Sequence, residues 1–136
     1  MASERIDTEG TEHGGELEPE RLAEMLEADE VELIDVRRPH EWEAGRIPGA
    51  RRVEVNDLPA LAEELDRERP VVFYCRSGSR SQLASDALRA GGFDSHALAG
   101  GISAWSEEGR RLDPEDGYIA ESGEAAALLE AKRRNT

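Results

Sequence analysis

The chain has 136 residues and a net charge of −14, and only 4% of its residues are aromatic. That length suits one domain with a modest core, and so acidic a chain excludes the basic footprint that nucleic acid or an anionic membrane surface requires. No apolar run reaches the length of a membrane span, and Met1 to Asp7 carry neither a signal-peptide core nor an Arg-rich transit pattern, so the expected setting is cytoplasmic.

Residues 1–15 are polar and acidic without apolar periodicity, and read as a disordered tail. Pro19 suits the first turn of a helix with Leu22, Met25 and Leu26 on one face. Val31 to Val36 reads as a strand, Pro39 to Ala44 as a short helix, and Gly45 to Ala50 as a turn. Arg52 to Val55 is a weak strand. Leu58 to Leu65 follows as a helix, with Leu58, Leu61, Ala62 and Leu65 spaced for one face, until Arg69-Pro70 breaks the pattern. Val71 to Tyr74 is the most apolar strand and is therefore placed at the centre of the sheet.

Ser79 to Ala90 is the next helix, ended by Gly91-Gly92. Phe93 to Leu98 is a further strand. Gly100-Gly101 leads into a helix that carries Ile102 and Trp105 and ends near Gly109. Asp113 to Gly117 is a loop, and Ser122 caps a last helix from about Gly123 to Arg134. Strands alternate with helices throughout. The expected fold class is α/β, a mainly parallel central sheet with helices on both faces, and ligands of such sheets bind beyond the carboxyl ends of the strands.

Cys75 lies at that end of the central strand, and it is the only cysteine. An internal disulfide is impossible, so any chemistry it does is nucleophilic or carrier chemistry. The loop Arg76-Ser77-Gly78-Ser79-Arg80-Ser81 separates it from a helix. Loop N–H groups, the positive end of the helix dipole and two arginines all favour thiolate over thiol. Gly78 lets the loop curl by permitting positive φ. Arg76 and Arg80 read as anion contacts, against the simpler reading of solvated surface charge.

Three stretches of this sequence resemble the rhodanese-like family of single-domain sulfurtransferases. They are Leu33-Ile34-Asp35-Val36-Arg37 with Glu41-Trp42 and Gly45 to Ala50; Tyr74-Cys75 to Ser81; and Leu98 to Trp105 with Gly109. The stretches stand in the family's order, with Arg46 where the family more often has His. The resemblance implies a rhodanese-like domain over 16–112, between the tail at 1–15 and a C-terminal extension with a helix at 113–136. It also implies sulfur transfer: Cys75 takes the outer sulfur of a donor such as thiosulfate as a persulfide, and an acceptor nucleophile removes it. The loop Arg76, Ser77, Gly78, Ser79, Arg80 and Ser81 would bind the substrate and surround the terminal sulfur.

Asp35 could act as a base. The preferred reading is a buried structural carboxylate behind the site that pairs with an arginine or holds a loop by accepting backbone N–H bonds, because persulfide transfer needs no strong base beside an ionised thiol, and Arg37 reads as a structural partner for a carboxylate. Trp42 and Trp105 read as packing residues. His13, His40 and His96 lack metal-ligand spacing, and Gly100-Gly101 is not a nucleotide fingerprint, so neither metal nor cofactor is expected.

The expected partners are a small sulfur donor and a thiol or cyanide-like acceptor, with a sulfur-accepting protein as a further candidate. An alternative is a persulfide carrier or binding module that serves a partner protein. A phosphatase or arsenate reductase is disfavoured. Relatives of that kind place five residues between Cys and Arg, whereas four separate Cys75 from Arg80.

Overall fold

The computed structural model describes residues 15–120. The tail ahead of Gly15, including His13, and the helix expected at Gly123 to Arg134 lie outside the described residues. Five strands form one parallel sheet: β1 (Glu16–Leu17), β2 (Glu32–Asp35), β3 (Arg51–Arg52), β4 (Val71–Tyr74) and β5 (Ser95–Leu98), in the order β1-β5-β4-β2-β3. The most apolar strand, β4, is central. Both edges are two-residue strands, which leave little unpaired backbone for another chain to pair with.

The helices are α1 (Pro19–Glu27), α2 (Pro39–Ala44), α3 (Leu58–Glu64), α4 (Ser79–Ala90) and α5 (Gly101–Glu107). Alternation along the strands sends side chains to opposite faces. Leu33, Val72, Tyr74 and Leu98 meet Leu22 and Met25 of α1 and Ile102 and Trp105 of α5. Ile34, Val36, Val71, Phe73 and Cys75 meet Leu58 and Leu61 of α3 and Ala84 and Leu88 of α4. The expected α/β fold with helices on both faces is therefore the one observed. Among the described residues no helix is long and apolar enough to cross a membrane.

Three elements differ from expectation. β1 was not foreseen; it exists because Gly15 O and Leu17 O accept the N–H groups of Ala97 in β5 and of Ala99 just after it. The weak strand placed at Arg52 to Val55 ends at Arg52, and Val55–Asp57 turns as a 3-10 helix into α3. β5 begins at Ser95 rather than Phe93, because the Phe93 N–H is spent on Leu88 O at the end of α4.

Candidate functional site

Cys75 follows β4 directly, and its side chain points to the α3/α4 face. The residue is buried, with 1% of its surface exposed. Gly78 turns the loop back with φ +125°, a conformation that side-chain-bearing residues adopt only under strain. The turn aims the Gly78 N–H at Cys75 Sγ, 3.1 Å away. The thiol donates to Ser81 Oγ at 3.5 Å, and that hydroxyl donates in turn to Gly78 O at 3.0 Å. Ser81 is fully buried, whereas Ser77 and Ser79 sit at the surface.

Burial alone pushes the Cys75 thiol up. The Ser81 hydroxyl and the N–H groups of Ser81, Gly78 and Arg80 more than reverse it, and the thiol titrates below its ordinary value. The activation is thus mainly dipolar. It comes from donors fixed by the loop and by the first turn of α4.

The loop is also held from outside. The N–H groups of Ile102 and Ser103 donate to Cys75 O and Arg76 O at 2.9 and 3.1 Å. Gly101 makes this approach possible: it has φ +62°, and a Cβ there would lie 2.6 Å from Cys75 O and 2.5 Å from Arg76 O. By local pattern Gly100-Gly101 is a helix-entry turn. Its contact with the cysteine loop is set by a crossover that local pattern does not encode.

Behind the loop lie two arginine–carboxylate pairs. Asp35 is fully buried; its Oδ1 accepts from Arg37 N at 2.8 Å and its Oδ2 from Arg37 Nη2 at 2.7 Å. Arg37 Nη2 also reaches Gly45 O at 2.7 Å. Asp35 and Arg37 are thus paired with each other, through the backbone N–H as well as the guanidinium. Tyr74 lies beside them; burial first, then the Asp35 charge, holds its phenol well above the usual range, and its oxygen accepts Ile47 N–H at 3.0 Å.

The second pair was not foreseen. Arg80 donates through Nη1 and Nη2 to Glu41 Oε1 and Oε2, at 3.1 and 3.2 Å. Glu41 is fully buried and also takes Arg38 N–H at 3.0 Å. Burial pushes its carboxyl up, but Arg80 and the Arg38 amide outweigh that, and Glu41 titrates below its usual range. The expectation that Arg80 offers its guanidinium to an anion meets this arrangement: the guanidinium has a carboxylate partner, while the residue's N–H and, through space, its charge both act on the sulfur. The only sequence signal was Glu41 itself, an acidic residue placed to face into a short helix. Its partner lies 39 positions on.

Arg76 is half-buried at the start of the loop. Among the described residues no three of His, Cys, Asp and Glu gather as a metal ion would need.

Comparison with known proteins bears on family and fold. A family model of the rhodanese-like domain covers residues 18–108. A putative sulfurtransferase of Bacillus subtilis, YtwF, is 40% identical over 94 residues, spanning 68% of this chain and 91% of the relative. A thiosulfate sulfurtransferase of Shewanella oneidensis, GlpE, is 36% identical over 88 residues, 64% of this chain and 87% of the relative. Among solved structures, a rhodanese-related protein of Thermoplasma volcanium is 27% identical with a TM-score of 0.65, covering 71% of this chain and 95% of that one.

Proposed function

Since the chain belongs to the rhodanese-like domain family, we propose that it is a sulfurtransferase that carries sulfane sulfur on Cys75. One observation carries the reading: a buried sulfur at the carboxyl end of the central strand, met by the Gly78 N–H at 3.1 Å and the Ser81 hydroxyl at 3.5 Å. The Gly78 N–H, and the Ser81 hydroxyl once it turns from Gly78 O to the ionised sulfur, stabilise the thiolate before reaction. After it, the loop from Arg76 to Ser81 stabilises the negative terminal sulfur of the persulfide.

With thiosulfate, the Cys75 thiolate attacks the outer sulfur. A new S–S bond forms at Cys75, the donor's S–S bond breaks, and sulfite leaves with the electron pair. An acceptor thiolate or cyanide then attacks the terminal sulfur and returns Cys75 as thiolate. Ser81 and the amides of Gly78 and Arg80 hold the sulfur, Ser77 and Ser79 line the exposed side of the loop, and Arg76 adds positive charge for an anionic donor. A reducing cytoplasmic setting suits this chemistry, because oxidation would cap the sulfur.

The test is intact-mass measurement after incubation with thiosulfate. Cys75 should gain one sulfur atom, removable by cyanide, and Cys75→Ser should lose both adduct and turnover. An adduct that forms but turns over poorly with small acceptors would mark the chain as a carrier for a partner protein. Aryl-phosphate hydrolysis that depends on Cys75 and outpaces sulfur transfer would replace the assignment with a phosphatase.

A further inference from the structure

We propose that Glu41 sets the donor preference of this site: by holding Arg80 in a neutral pair, it withdraws one of the loop's two arginines from anion recognition and favours sulfane-sulfur donors of low charge over dianions. The inference deepens the sulfur-transfer reading and rests on it.

Both carboxylate oxygens of Glu41 are engaged by Arg80, and the match of fork to carboxylate uses both guanidinium ends. Glu41 cannot turn to water instead, because its side chain is fully buried and the Arg38 N–H also fixes Oε1. Arg80 keeps 32% of its side chain exposed, so it lies within reach of the loop's surroundings. An incoming sulfonate group that recruited Arg80 would have to share it with a buried negative charge. The neighbouring Arg37 is equally committed, to Asp35 and Gly45 O. The Arg80 N–H serves the sulfur directly, and the paired guanidinium still acts on the thiolate through space. The chain's net charge of −14 opposes multiply charged anions in the same sense at longer range.

The experiment compares thiosulfate, a dianion, with an alkanethiosulfonate, which delivers the same sulfane sulfur on a monoanion. A second readout does not depend on sulfur transfer: protection of Cys75 by sulfate against alkylation with neutral iodoacetamide. Glu41→Gln frees Arg80. It should raise the ratio of kcat/KM for thiosulfate over thiosulfonate about five- to tenfold, the scale of one partly screened charge contact, and should lower the sulfate concentration needed for protection by a similar factor.

The double variant Glu41→Gln with Arg80→Gln replaces one neutral pair by another. Its ratio and its sulfate protection should stay within about twofold of wild type. A double variant that loses thiosulfate preference tenfold or more would overturn the proposal, because Arg80 would then be serving the donor already. So would a folded Glu41→Gln protein with unchanged donor ratio and unchanged sulfate protection. If Glu41→Gln does not fold, the double variant alone decides. If wild-type protein transfers no sulfur, the sulfate-protection arm still tests Glu41 while the function reading fails separately.

Discussion

Arg37 meets its carboxylate side-on through Nε and Nη2, and Arg80 end-on through Nη1 and Nη2, in different surroundings. Arg37 and Asp35 are two residues apart and both side chains are fully buried. Arg80 and Glu41 are 39 residues apart, and water still reaches the arginine. In the first pair Gly45 O and the Tyr74 ring also meet Arg37, but among the described residues no other carboxylate bonds it, so losing either member strands a charge in the core. The second joins α2 to the cysteine loop and keeps one member at the surface, where water can relieve a change. Burial on both sides makes scaffold, whereas burial on one side makes a part whose charge can be adjusted without dissolving the fold.

The largest effect should come from breaking the scaffold pair. Asp35→Ala leaves the Arg37 guanidinium buried without its carboxylate, and should cost about 3–5 kcal/mol of stability in a denaturant titration. Where the variant is still folded, its Cys75 alkylation profile should match wild type. A loss below about 1 kcal/mol would erase the distinction between the pairs.

An intermediate effect belongs to the cradle. Ser81→Ala removes the largest of the contributions that lower the Cys75 thiol and leaves the burial that raises it. The midpoint of alkylation rate against pH should move up, with about 1 kcal/mol lost from stability, the scale of one hydrogen bond. An unmoved midpoint would mean that the backbone amides alone activate the sulfur.

The smallest effect is on acid stability. Glu41 titrates lower in the fold than its ordinary value. Its stabilising contribution is therefore complete above the ordinary carboxylate range and is lost as pH falls through the folded value. Glu41→Gln should flatten the acid limb of the stability–pH curve, and the two proteins should converge at the lowest pH. A difference that stays constant across pH would show that the carboxylate's charge is not what Arg80 uses.

What the sequence made legible was local. The helix Ser79–Ala90 and the strand Val71–Tyr74 carry their bounds in apolar pattern and glycine, and Cys75 between them marks the site. Asp35 and Arg37 could be paired on paper because two residues separate them. Glu41 with Arg80, Gly101 against the loop carbonyls, and the two-residue β1 were not legible. Each is fixed by a partner brought in by the fold: α4 for Glu41, the Cys75–Arg76 backbone for Gly101, β5 for β1. In β1 a lone Leu17 among glutamates offers no strand pattern at all.

The bonds from α5 to Cys75 O and Arg76 O also bear on access. Lifting the loop outward breaks both at once, so the loop presents its sulfur as a stiff piece, with 1% of the cysteine exposed. A braced sulfur with so little surface favours slender reagents over bulky ones. Cyanide, or a thiolate on the tip of a slender side chain, can reach the terminal sulfur. On the sulfurtransferase reading, an acceptor thiol on a protruding loop or tail would meet this sulfur more readily than one recessed in a folded surface.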